Sequence, residues 1–193
     1  MNTPAGVVLC PVEPLPNQLD DHVQSWDMAF KQTDAGSYVV GQVWGRAGAN
    51  VYLRDQVRAR LDFPATVQAV EQLSRQWPMT SAKYVEDAAN GPAVLATLQA
   101  RVPGLIAVTV DRSKAARANA VAPYVEAGNV YLPHPRLAPW VEGLIEECAA
   151  LPNGAHDDQA DALTQAVDRL LKGMSTGDVD AIWRKAMDWT SSG

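Results

Sequence analysis

The chain has 193 residues, 47% hydrophobic and 20% charged, with 13 glycines and 13 prolines spread along it. This is the composition of one sizeable globular domain, and it excludes a low-complexity or globally disordered chain. Sixteen Lys and Arg against 22 Asp and Glu give a net charge of −6, so any nucleic-acid contact must come from a local basic surface.

Cys10 and Cys148 are too few for a disulfide framework and point to a reducing compartment. No run approaches the roughly 18 consecutive apolar residues of a membrane span, and the chain reads as cytosolic.

Residues 1–21, carrying Pro4, Pro11, Pro14 and Pro16, read as an extended leader. Three β-rich runs follow, over 23–30, 37–45 and 50–61, separated by Gly36 and by Ala47-Gly48-Ala49-Asn50. They predict an antiparallel meander. Phe63-Pro64 opens a helix in which Val67, Val70, Leu73 and Trp77 recur at helical spacing and which Pro78 ends.

An apolar strand over 82–86, a helix from Asn90-Gly91-Pro92 to Arg101 and a second apolar strand over 105–110 form a βαβ unit with parallel pairing. A helix is expected from Ser113 to about Ala122, stopped by Pro123, then a short strand over 130–132. Two helices follow over 140–151 and 157–171, and residues 178–189 suggest a terminal one. The fold class is α/β: a mixed sheet of antiparallel meander and parallel strands, flanked by helices.

Acidic residues stand where the pattern wants apolar ones. Asp27 interrupts the first strand between Trp26 and Met28, and Glu86 and Asp87 close a parallel strand at its carboxyl end, where open α/β sheets bind ligands. Asp157, Asp158 and Asp161 open the last predicted helix, with Asp158 and Asp161 three apart on one face. Each acid alone is readily a helix-terminal or strand-end residue. Several at the ends of separate core elements would repel one another, a penalty a divalent cation removes. All-oxygen ligation favours Mg2+ or Mn2+ over zinc.

Ser25-Trp26-Asp27-Met28-Ala29-Phe30-Lys31, Val85-Glu86-Asp87-Ala88-Ala89-Asn90-Gly91-Pro92 and His156-Asp157-Asp158-Gln159-Ala160-Asp161-Ala162-Leu163 together resemble the nuclease domain of the large terminase subunit of tailed bacteriophages. The resemblance runs over about residues 22–171. It implies a ribonuclease H-like fold, related to Holliday-junction resolvases, and metal-dependent cutting of double-stranded DNA. It also implies two Mg2+ or Mn2+ ions held by Asp27, by Asp87 or alternatively Glu86, and by Asp158 and Asp161 with Asp157 adjacent. Asp27, Asp87, Asp158 and Asp161 are the catalytic set expected.

The family's large subunits carry an ATPase motor before the nuclease and work with a small terminase subunit and a portal in the host cytoplasm. No G-x-x-x-x-G-K-[ST] occurs here. The expectation is therefore a linker remnant over 1–21, a nuclease domain over 22–172 and a tail over 173–193, with no ATPase site. DNA contacts are expected from Lys31, Arg46, Lys114 and Arg117. A resolvase-type nuclease and a non-catalytic DNA- or partner-binding module of the same fold stay open at this level.

Overall fold

The computed structural model describes residues 8–9, 16, 18–28, 38–86, 92–109 and 112–172. The sequence expectations for Lys31, Asp87 and the helix over 178–189 lie outside them. Seven strands lie among the described residues: β1 (Val8–Leu9), β2 (Asp21–Asp27), β3 (Val39–Ala47), β4 (Asn50–Ala59), β5 (Ala82–Glu86), β6 (Leu105–Val108) and β7 (Val130–Leu132). The helices are α1 (Phe63–Gln76), α2 (Pro92–Arg101), α3 (Lys114–Glu126), α4 (Val141–Ala150) and α5 (Asp158–Lys172).

One sheet holds every strand in the order β1-β7-β4-β3-β2-β5-β6. Strands β2, β3 and β4 form the antiparallel meander, while β5 pairs in parallel with both β2 and β6. The architecture is the expected mixed sheet. Val8 and Leu9, inside the segment read as leader, pair in parallel with Tyr131 and Leu132 and extend its far edge.

Strand alternation sorts the core into two layers. Trp26, Met28, Val43 and Val85 pack with Val67, Val70 and Leu73 of α1 and Leu95 and Leu98 of α2. Val23, Trp44 and Leu53 pack on the other face with Val121 of α3, Leu144 of α4 and Leu163, Val167 and Leu170 of α5. The buried indoles keep their N–H groups satisfied within their own strands, Trp26 donating to Gln24 at 3.0 Å and Trp44 to Gln42 at 2.9 Å. Gly41 makes room for the first of them, since a Cβ there would stand 2.4 Å from the Trp26 ring.

Asp62 caps α1 by accepting the Ala65 N–H at 2.9 Å. Trp77 is its C-cap, placed by an indole N–H bond of 2.8 Å to Asp55.

One helix boundary differs from expectation. Pro123 does not stop α3, which runs on to Glu126. A proline removes the bond to the carbonyl four residues back, here Asn119, and its ring crowds that carbonyl. Both residues are exposed, so water can serve that carbonyl, and the Pro123 carbonyl still accepts the Ala127 N–H at 3.0 Å.

Candidate active site

The register of β2 on β5 sets up the site. Trp26 pairs with Val85 in parallel, so the next residues, Asp27 and Glu86, leave neighbouring strands at the same end and on the same face. That face is the one covered by α5, because Ser25, two residues before Asp27, accepts the Gln165 side-chain amide at 2.8 Å. Asp161 lies one helical turn before Gln165 and is thereby carried to the strand ends.

The start of α5 is fixed from α4. Glu147, buried on the same stripe as Val141 and Leu144, accepts the backbone N–H groups of Gln159 at 2.6 Å and Ala160 at 3.2 Å. Its other oxygen accepts the Gln159 side-chain amide at 2.6 Å and Arg58 at 3.3 Å. Thus a residue distant in sequence satisfies the orphan donors of the helix. Gln159 in turn accepts from Gln56 at 2.9 Å through its side chain and from Gln42 at 3.1 Å through its backbone carbonyl.

The electrostatics record how close the acids are. Burial, then the charges of Asp161, Asp158 and Glu86, push the Asp27 carboxyl up to about 8. Asp158 is raised by burial and by Glu147 and Asp157. Burial also raises Asp161, with Lys114 and Arg117 offsetting part of the effect.

Two cations of α3, one turn apart, reach into this cluster. Lys114 Nζ lies 2.6 Å from Asp157 and 2.7 Å from Asp161. Arg117 spans Glu86 at 3.1 Å and Asp161 at 2.9 Å. Burial works against the Lys114 ammonium, but its bonds to Asp157 and Asp161 outweigh that and raise its pKa.

Among the described residues no three carboxylate, imidazole or thiol groups form a ready-made metal cage, and Lys114 and Arg117 hold oxygens of Asp157, Asp161 and Glu86 instead. The donor set still fits a hard divalent cation: it is all carboxylate, and the repulsion that adds to burial in raising the Asp27 pKa is what such a cation relieves.

The structure therefore brings together Asp27, Glu86, Asp157, Asp158, Asp161, Lys114 and Arg117. It does not bring Arg46 there. Arg46 pairs with Asp21 at the opposite end of β2, about 20 Å away at roughly 3.3 Å per residue, and its guanidinium is held by Asp20 and Asp21. Arg58 takes the flank instead, since Asp27 pairs with Val40 and Val40 with Arg58. Arg58 and Arg60 lie 4.1 and 5.0 Å from the centre of the Tyr38 ring, which meets His156 edge-on at 5.3 Å. The sequence reading missed Glu147, whose signal was an acid on the apolar stripe of α4, and Gln165, which carried none.

Residues 24–170 match the terminase RNaseH-like domain, a span that contains every element of the site. The chain belongs to that family. Curated protein sequences give no match.

This terminase RNaseH-like domain is similar in fold to several solved structures. The human cytomegalovirus terminase nuclease domain, soaked with Mn and inhibitor-bound, superposes with a TM-score of 0.59 at 16% identity, covering 79% of this chain and 83% of that one. The large terminase nuclease of thermophilic phage G20c with bound magnesium gives 0.60 at 18% identity, covering 84% and 93%. The large terminase of another thermophilic bacteriophage, in complex with ADP, gives 0.61 at 13% identity, covering 86% of this chain but 42% of that one.

No helix among the described residues is long and apolar enough to cross a membrane.

Proposed function

We propose that this domain is a divalent-cation-dependent endonuclease that cuts the backbone of double-stranded DNA during phage DNA packaging. The observation that carries the reading is the convergence of Asp27, Glu86, Asp158 and Asp161 from three separate elements at the carboxyl ends of β2 and β5, with Lys114 and Arg117 beside them. Solved relatives with bound magnesium or soaked manganese support it.

Asp27, Asp87 or alternatively Glu86, and Asp158 and Asp161 with Asp157 adjacent, would hold two Mg2+ or Mn2+ ions. Bound there, the ions supply charge that activates a water near neutral pH and stabilises the departing 3′ oxygen. Asp27 would serve as a ligand in its carboxylate form, the charge of the ions offsetting the burial and repulsion that raise its pKa. Gln165 and Glu147 keep α5 against the strand ends so that the acids stay aligned. Lys114 and Arg117 attract the phosphate backbone and hold it without reading bases, and Lys31 is a further contact.

In the larger context, the domain would act in the host cytoplasm with an ATPase motor domain, a small terminase subunit and a portal. Residues 1–21 are the expected connection to the motor, and the chain spans about two fifths of the ADP-bound large terminase it matches.

Incubation of supercoiled plasmid with Mn2+, Mg2+, Ca2+ or chelator tests the reading. Nicked and linear products with Mn2+ or Mg2+ and intact plasmid in chelator are expected, with no ATP hydrolysis. Plasmid left intact across a broad Mn2+ titration would overturn it.

A further inference from the structure

We propose that the cavity between the end of β6, α3 and α5 is a phosphate subsite that holds a DNA phosphodiester next to the one being cut. The inference rests on the nuclease reading and adds a place for the substrate that the carboxylate cluster does not define.

The cavity measures about 270 Å3 and is walled by Thr109, Arg112, Arg117, Thr164, Asp168 and Arg169. Its wall carries the guanidiniums of Arg112, Arg117 and Arg169, of which Arg117 is also held by Glu86 and Asp161, in a chain whose net charge is −6. Arginine suits the purpose because its planar fork matches phosphate oxygens and keeps its charge at any working pH.

Arg117 supplies the independent observation. Both its terminal nitrogens are engaged, with Glu86 at 3.1 Å and Asp161 at 2.9 Å. Its Nε is buried and meets no acceptor among the described residues. Enclosed as it is, Nε costs free energy, and what Arg117 can offer the cavity is the second N–H that each terminal nitrogen keeps beyond these two bonds. The same guanidinium touches the catalytic acids and the cavity wall, so a phosphate held there lies within one side chain of the cutting site.

Arg169, on the exposed side of α5, closes the outer wall and stands 5.5 Å from the centre of the Tyr84 ring. Tyr84 is the middle residue of β5, two positions before Glu86 and on the same face of the sheet. The occupant is a backbone phosphodiester, whose oxygens the planar forks of arginine match bidentately.

The test compares wild type with Arg169→Ala, Arg169→Lys and a control, Arg75→Ala. Arg75 is an exposed arginine of α1 that lines a separate cavity with Lys83 and Gly104, at the opposite end of β5. Binding of a fluorescent 20-base-pair duplex is measured with Ca2+ over a range of salt, and cleavage with Mn2+. Arg169→Ala should weaken binding about tenfold and lower the slope of log Kd against log salt by about one, as for one lost phosphate contact.

Its KM should rise by the same factor with kcat within about threefold, since the contact is made equally in ground and transition states. Arg169→Lys should recover most of the slope, and Arg75→Ala should change neither quantity. Equal effects of Arg169→Ala and Arg75→Ala, or an unchanged slope, would overturn the subsite while leaving cleavage by wild type to stand. A wild type that binds but never cuts would sink the nuclease reading and leave the subsite to the binding slopes. No duplex binding at all would overturn both.

Discussion

The side-chain amide of Gln165 donates to the Ser25 hydroxyl at 2.8 Å across 140 positions of sequence. It also approaches the carbonyls of Tyr84 at 3.4 Å and Trp26 at 3.5 Å, so one side chain ties α5 to both strands that end in acids. Ser25 precedes Asp27 by one strand repeat and Gln165 follows Asp161 by one helical turn. The bond that seats the helix therefore also sets Asp161 against Asp27. Like charges are held together by a scaffold bonded elsewhere, and Lys114 and Arg117 balance part of the charge.

Asp27→Asn should abolish plasmid cleavage while the fold survives. In chelator the variant should melt at or above wild type, with a gap that depends on pH. Asp27 titrates near 3.8 in the unfolded chain and about 8 when folded. Between those values the folded wild type keeps a proton that the unfolded chain has released, so its stability falls as pH rises. Asparagine has no proton to lose. The melting-temperature gap should widen from pH 5 to pH 8, then level off. At ten times its dissociation constant, Mn2+ should add about 1.4 kcal/mol to wild type by mass action and distinctly less to the variant. A variant that cuts DNA, or unfolds well below wild type in chelator, would show Asp27 to be structural.

What was legible in the sequence is what period and punctuation control. Strand β5 ends where the apolar run meets Glu86, and α5 shows Leu163, Ala166, Val167 and Leu170 at helical spacing. The acids were visible because they break these patterns. Arg46 shows the limit. A charge on a strand carries no mark of which sheet end it occupies, and in an antiparallel pair the end of β3 is the beginning of β2. Arg117 shows another, since its partners come from β5 and α5 and only the assembled sheet brings them together. Pro123 read as a stop because its exposure, which makes it tolerable, is a tertiary fact.

Lys114→Met should separate metal affinity from DNA affinity. The ammonium pairs with Asp157 and Asp161, so removing it leaves those acids less balanced without metal and freer to ligate a cation. The expected result is a lower melting temperature in chelator, a larger rise on adding Mn2+ and weaker duplex binding in Ca2+. Calorimetric Mn2+ titration and duplex anisotropy read the two terms separately. A Mn2+ affinity that drops with the substitution would show Lys114 supporting the metal ligands instead of competing for them.

Arg46→Ala should leave KM and the salt slope of DNA binding unchanged, because its guanidinium sits at the far end of β2 between Asp20 and Asp21. Both acids are about half exposed, so the loss in stability should stay within about 1 kcal/mol. A several-fold rise in KM would instead extend the DNA track to that end of the sheet.

Glu147→Ala tests whether the acidic helix is held from outside. The substitution removes the acceptor for two backbone N–H groups at the start of α5 and for the Gln159 amide, and strips Arg58 of its partner. With Glu147 5% exposed, the loss should be about 3 kcal/mol, the range for breaking a buried pair from one side. Glu147→Gln keeps an acceptor for the backbone but turns an amide N–H toward the Gln159 amide, so a smaller loss of about 1–2 kcal/mol is expected. Urea melts should show the midpoint falling with an unchanged m-value. Cleavage should drop by about 10–100-fold in kcat/KM, as for residues that orient metal ligands, and most of the drop should persist in urea-free buffer at a temperature where both variants are fully folded. Variants that lose stability yet cut at the wild-type rate when folded would confine Glu147 to the scaffold and leave the alignment of Asp158 and Asp161 to Gln165.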